Sequence, residues 1–355
     1  VSDDEASAHE GAPDADAARA RARRRTITRR AAIAGGLTVL GLGGGALLYR
    51  QLRRSAGPEG AYVPLAPIVP GALASPRPLS PAAEPPGRET TLAVWAHADD
   101  DIIFANPALA GALRQGSTIR AVYVTAGDGG RGLEYAEQRE AGLRAAYDRM
   151  RDSAGPWETH TIDLLSGARV TRFVPSDDAR LSITMLRLPD GNLDATGFAA
   201  TGNAGLTQLI NGATPRLSPI DGAPAYDLSM LLETIAELAD ASGAQKVATN
   251  IPHASAYARG DHPDHSCVGS LVRAVVPKVG IPVDAVSYFV GYPSQHEPVN
   301  IEGATLDAKV GIYETYAAHD PVVTCADASA CLAQPGFGQW LRRSYPKKDD
   351  ELRME

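Results

Sequence analysis

The sequence predicts an α/β domain built on a mostly parallel sheet, and three observations carry that reading. From about residue 90 onward, short apolar runs rich in β-branched and aromatic residues recur. They alternate with longer segments of helical spacing, the pattern of strands joined by crossover helices. The densest polar clusters fall where a run ends and a helix begins, the edge at which open α/β sheets hold their sites.

The elements follow in order. Residues 91–96 (T-L-A-V-W-A) form an apolar run ending abruptly in charge, as a buried strand does. Residues 102–114 read as a helix and residues 119–125, with V-Y-V, as a second strand. Residues 134–150 read as a long helix. Residues 151–225 are rich in Gly, Pro, Asp and Asn and read as loops and short strands around a site. Then come a helix at 231–238, a strand at 246–251, a helix at 264–275, a strand at 285–290 and a helix at 304–316. The folded domain is thus expected over residues 90–355.

Upstream the composition changes. Residues 1–30 read as disordered, first acidic and Ala-rich, then basic, with seven arginines between Arg19 and Arg30. Residues 31–49 carry no charge and approach the ~20 residues that cross a bilayer. The junction Thr28-Arg29-Arg30-Ala31-Ala32-Ile33 resembles a twin-arginine export signal, with Ala32 where that motif has Phe. More arginines precede the apolar segment than follow it, so the positive-inside rule sends the domain out of the cytoplasm. The segment reads as a membrane anchor or a cleaved signal, and the protein as exported or membrane-anchored. Residues 50–89 read as a Pro-rich linker, because nine prolines between residues 55 and 88 make an extended, semi-rigid spacer.

A net charge of −8 excludes a nucleic-acid partner, which wants a basic surface to displace phosphate counterions. The three cysteines form no C-x-x-C pair, which excludes a zinc knuckle and a thioredoxin-type site. Cys325 and Cys331 bracket a short loop and can pair in an oxidising compartment. Cys267 reads as a small buried hydrophobe.

Two clusters carry the chemistry. Ala96-His97-Ala98-Asp99-Asp100-Asp101 follows the first strand, and Asp261-His262-Pro263-Asp264-His265 precedes a helix. Three adjacent carboxylates repel one another and want a cation or hydrogen-bond donors. A helix dipole relieves only about 0.3–1 kcal/mol per charge, whereas a divalent ion relieves far more. Two histidines and one carboxylate with an open position form a catalytic zinc or iron site. His97, Asp100 and His265 can supply that set. Asp99, beside a ligand, suits a general base. His262 can donate to an oxyanion, and Asp264 can fix a histidine tautomer.

These motifs resemble the PIG-L/LmbE-like N-deacetylase family. Its members carry A-H-P-D-D-E after the first strand and H-x-x-H late in the domain. The resemblance implies a Rossmann-like three-layer fold and a zinc-dependent hydrolase, with Fe2+ as an alternative metal, that removes an N-acetyl group from a GlcNAc-type sugar. The substrate would be an N-acetylated sugar in a small molecule, glycolipid or glycopeptide. It implies His97, Asp100 and His265 as metal ligands, Asp99 as base and His262 as the oxyanion or acid group. The turn Thr125-Ala126-Gly127-Asp128-Gly129 and the following helix resemble family segments, making Asp128 and Arg139 candidate substrate contacts. Two positions depart from the pattern: Ala98 stands for Pro, and Asp101 stands for Glu, which shortens a reach behind the ligands. Two rivals remain. A metal phosphoesterase would want a second metal or more basic residues, and a non-catalytic exported sugar-binding protein would lack the base or the oxyanion donor.

Overall fold

The computed structural model describes residues 57–71 and 88–355. The basic segment 1–30 and the apolar segment 31–49 lie outside the described residues. Among those described, no helix is long and apolar enough to cross a membrane.

Among the described residues, eight strands form one sheet: β1 (Arg88–Trp95), β2 (Ser117–Thr125), β3 (Trp157–Asp163), β4 (Arg169–Pro175), β5 (Leu181–Leu188), β6 (Lys246–Asn250), β7 (Val286–Phe289) and β8 (Pro346–Lys347). Their order is β3-β4-β5-β2-β1-β6-β7-β8. The five central strands, β5 to β7, run parallel. β4 and β3 extend one edge antiparallel, and β8 caps the other. The chain moves outward from β1 through β2 to β5, then returns to begin again at β6 beside β1. That reversal opens a crevice at the carboxyl ends of β1 and β6.

Side-chain alternation along β1 builds two cores. Leu92, Val94 and Ala96 share a core with Leu206 and Leu209 of α3 (Leu206–Ile210), Leu231 and Ile235 of α4 (Leu228–Ser242) and Val268 and Leu271 of α5 (Pro263–Val275). Ala93 and Trp95 pack on the other face with Leu143 and Tyr147 of α2 (Leu133–Met150) and with Val310 and Tyr313 of α6 (Gly303–Ala317). The result is the three-layer α/β arrangement expected. Each large side chain so buried contributes about 1.5–3 kcal/mol.

Three features differ from the sequence reading. The helix expected at 102–114 is two pieces, a one-turn π-helix at Asp101–Ala105 and α1 (Ala108–Arg114). Pro107 divides them: it has no N–H to donate, and it holds Asn106 in an extended conformation. β5 falls in the stretch read as loops and short strands around a site, yet it is a central strand buried at all eight positions. Its polar side chains misled the reading, because Arg187 is buried against Glu140 at 2.7 Å.

The third difference concerns residues 57–71, within the stretch read as a free spacer. They are extended, as their prolines suggest, but they lie along the domain. Gly60 N–H donates to the Gly260 carbonyl at 3.1 Å, and Ala61 N–H donates to the Leu193 carbonyl at 2.7 Å. Leu65 and Ile68 pack against the core on the α4 and α5 side.

Candidate active site

The site is assembled at the reversal between β1 and β6. Asn250, the last residue of β6, ties the two strands together. Its Oδ1 accepts the Ala96 N–H at 3.0 Å, and its Nδ2 donates to Asp100 Oδ2 at 3.2 Å. His97 N–H donates to the same Asp100 oxygen at 3.0 Å. Two donors therefore hold Oδ2 and leave Oδ1 facing the histidines.

His265 comes from the first turn of α5. His262 caps that helix, with Nδ1 accepting the Asp264 N–H at 3.2 Å, and Pro263 occupies the first turn, where a missing N–H costs nothing. The structure brings His97, Asp100 and His265 together, all buried. His265 Nε2 lies 3.2 Å from His97 Nδ1 and 3.0 Å from Asp100 Oδ1, and the third edge of the triangle is 3.7 Å. A tetrahedral ion with bonds of about 2.0–2.1 Å sets its ligand atoms about 3.4 Å apart. The donor set and its spacing fit such an ion.

Outer contacts orient the three side chains. His265 Nδ1 stands 2.8 Å from Asp261 Oδ1, and Asp100 and Asp261 together raise the imidazole to about 10 against the opposing pull of burial. His97 Nε2 stands 3.4 Å from Asp264 Oδ2, an oxygen also held by the Gly191 N–H at 2.8 Å. Asp264 thus orients His97 through its carboxylate and His262 through its backbone.

Asp99 lies beside the triangle, and its carboxylate pairs with Arg139 Nη2 at 2.7 Å. Burial pushes this carboxyl above its ordinary value, while the Arg139 charge opposes the rise. Burial, with the neighbouring His97, lowers His262 to about 4, so it is neutral near pH 7. Because its Nδ1 accepts from Asp264, the neutral ring carries its proton on Nε2. His262 therefore offers a donor on the site side, where Asp190 Oδ1 is 3.8 Å away.

Arg139 lines the cavity beside the triangle and also donates to Tyr316 Oη at 2.7 Å and to the Gly127 carbonyl at 2.5 Å. Asp128, expected at the substrate, is not among the cavity's lining residues. It is buried, and its carboxylate accepts the Asp190 and Gly132 N–H groups at 3.2 and 3.3 Å, so it braces the loop after β2. Asp101 is buried, accepts the Tyr147 hydroxyl at 2.7 Å, and is pushed by burial up to about 7.

Three contributors were not singled out from the sequence. Asp261 stood in a quoted cluster without a role, Asn250 is a lone amide at a strand end, and Asp190 follows β5. Ligand atoms of His97, Asp190, His262 and Asp264 lie within 4.8 Å of one another, so Asp190 belongs to the wall of the site. Its position just after a parallel strand was the available signal. The Cys325–Cys331 pair forms a disulfide, and Cys267 is free and buried.

Among solved structures, the chain is similar to N,N'-diacetylchitobiose deacetylase from Pyrococcus horikoshii, at 13% identity over 67% of this chain and 72% of that one, with a TM-score of 0.39. A conserved protein from Thermus thermophilus matches at 16% identity over 73% and 92% of the two chains, with a TM-score of 0.39. A triple mutant of a deacetylase of the teicoplanin biosynthetic pathway matches at 16% identity over 69% and 87%, also at 0.39. No curated protein matches. The family model for PIG-L, GlcNAc-PI de-N-acetylase, matches residues 92–276, a span that begins in β1 and ends just past α5 and so contains both motifs and all three residues of the triangle. On that match the chain belongs to the PIG-L de-N-acetylase family.

Proposed function

We propose that this protein is a metal-dependent hydrolase that removes the N-acetyl group from a GlcNAc-type amino sugar. The observation that carries the reading is the buried triangle of His97, Asp100 and His265 with Asp99 beside it. Zinc suits two imidazoles and one carboxylate, and Fe2+ suits them too. A divalent ion bound there would supply Lewis acidity and acidify water towards neutral pH.

The protein's own groups do the rest. Asp99 takes the proton from the attacking water, and Arg139 fixes the carboxylate that receives it. The Nε2–H of neutral His262 donates to the acyl oxygen as charge develops there. The C–N bond breaks, the water oxygen stays on the acyl carbon, and Asp99 returns its proton to the leaving amine. Acetate and a free amino sugar result. The cavity of about 300 Å3 admits a ligand of sugar size. A phosphoesterase is disfavoured because Arg139 is already paired with Asp99 and Asp320, which leaves Arg131, among the described residues, as the one other arginine lining the cavity.

The domain is proposed to work outside the cytoplasm, carried there by residues 31–49. The Cys325–Cys331 bridge suits an oxidising compartment. Fractionation of cells making the full chain tests this, and a domain found wholly in the cytoplasm overturns it. The catalytic reading is tested by acetate release from N-acetylated sugars. Asp99→Asn should lower the rate by about 100-fold or more with normal metal content. A metal-loaded protein that releases no acetate from any amino sugar favours a binding role instead.

A further inference from the structure

The cavity beside the triangle is lined by both charged and apolar side chains. Asp99, Arg131, Arg139, Asp190 and Asp320 are its charged residues outside the triangle. An apolar strip begins beside the histidines. The Phe104 ring stands 5.8 Å from the His265 ring, and the Tyr292 ring stands 5.3 Å from His265 and 6.1 Å from His262. From there the apolar wall runs outward. Tyr292 stacks on Trp340 at 4.4 Å, and Phe337 meets Trp340 edge-on at 5.1 Å. Val322 and Val323 complete it at the rim, with Val322 49% exposed.

The outer part of this wall lies beyond residue 276, where the family match ends. It is firmly built. Asp320 Oδ1 accepts the N–H groups of Val322 and Val323 at 2.9 and 3.3 Å. Gln334 Nε2 donates to the Val323 and Thr324 carbonyls, both at 2.9 Å, and the Cys325–Cys331 bridge closes the loop between them.

An amide carbonyl carbon carries two substituents besides oxygen. The nitrogen must reach Asp99, and the sugar comes with it, its hydroxyls suited to the charged residues around Asp99. The acyl carbon is left facing Phe104 and Tyr292. A methyl group covers only the start of a wall that continues to Val322. Building on the deacylase reading, we propose that this wall is an acyl-chain subsite and that the enzyme accepts N-acyl groups longer than acetyl, propionyl and butyryl among them. The reaction is unchanged, water replacing the amine on the acyl carbon.

The test compares kcat/KM for N-acetyl-, N-propionyl- and N-butyrylglucosamine with the zinc-loaded enzyme, and measures binding of the same sugars to Asp99→Asn by calorimetry. The longer acyl sugars should react at least as efficiently as the acetyl sugar, and affinity for Asp99→Asn should rise with chain length. Phe337→Ala and Val322→Ser should each lower the butyryl-to-acetyl ratio, by about 10-fold for a well-fitted methylene. Val322 is half-exposed, so its variant reports even if Phe337→Ala fails to fold. Normal acetyl turnover with butyryl cleaved more than about 10-fold less efficiently would sink the subsite alone. So would a ratio unchanged in Val322→Ser. Failure of every N-acyl sugar to react would sink the deacylase reading, and the subsite with it.

Discussion

Asp261 Oδ1 lies 2.8 Å from His265 Nδ1, and that contact decides which nitrogen His265 turns towards the triangle. The same oxygen accepts the N–H groups of His262 at 2.9 Å and Tyr292 at 3.0 Å. One carboxylate oxygen therefore sets His265, His262 and Tyr292 relative to one another. Carboxylates behind metal-bound histidines characteristically fix ring orientation and raise ligand basicity.

Asp261→Ala should accordingly weaken zinc binding by about 10- to 100-fold while the domain stays folded. Competition against a chelator of known affinity measures this directly. Wild-type affinity in the variant would mean that the helix alone orients His265.

Arg139 links Asp99 to the rest of the scaffold without touching the triangle. Its guanidinium reaches Asp99, Tyr316, the Gly127 carbonyl and, at 3.3 Å, Asp320. A lysine keeps the charge but has no planar fork to make these contacts together. Arg139→Lys should lower kcat by about 100-fold, the scale of a misplaced reacting group, with metal content unchanged. Loss of metal together with activity would show instead that Arg139 supports the triangle. Gly127→Ala should produce a similar loss, since its φ is +56° and a Cβ there would overlap Arg139 Nη1.

Residues 57–71 lie outside the family match yet touch the site from behind. A Cβ on Gly60 would overlap the Asp261 carbonyl, just before His262. Gly60→Ala should therefore displace the Asp261–His262 turn, cost about 1–3 kcal/mol of stability as overpacking does, and reduce kcat/KM. Gly71 meets no atom within 4 Å, so Gly71→Ala is the matched control and should behave as wild type. Equal activity in the two variants would show that the segment merely rests on the domain.

The buried triangle was legible because its residue types announce chemistry and because both clusters fall at strand ends. His97, Asp100 and His265 needed no knowledge of side-chain placement. Asp190 was hidden by β5, whose Ser182, Thr184 and Arg187 look solvent-facing until Glu140 is seen to neutralise the arginine. Asn250 carries no motif, since its importance comes from the pairing of β1 with β6, a relation distant in sequence. Asp128 was singled out from the resemblance of its turn to a family segment, and the structure adds that two backbone N–H groups hold its carboxylate within the loop. The break at Pro107 was visible in the sequence, and the helical periodicity on both sides obscured it.

Lys309 on α6 offers a test of the fold that does not pass through the site. It is 1% exposed, and its ammonium donates to the Arg343 carbonyl at 2.6 Å and the Trp340 carbonyl at 3.4 Å. Burial lowers it to about 7, against about 10.4 in an unfolded chain. Between those values the unfolded chain holds a proton that the folded protein lacks, so raising the pH favours folding through that window. Below about pH 7 both states are protonated and the burial penalty is felt in full. Wild-type stability, measured by urea unfolding at pH 7, 8 and 9, should therefore rise relative to Lys309→Met, by at most about 1.4 kcal/mol per pH unit. The variant leaves carbonyls unpaired at a cost of about 1–3 kcal/mol at every pH, so the change in the difference with pH is the signal rather than its absolute size. A difference that stays flat from pH 7 to 9 would mean that the two carbonyls keep Lys309 charged.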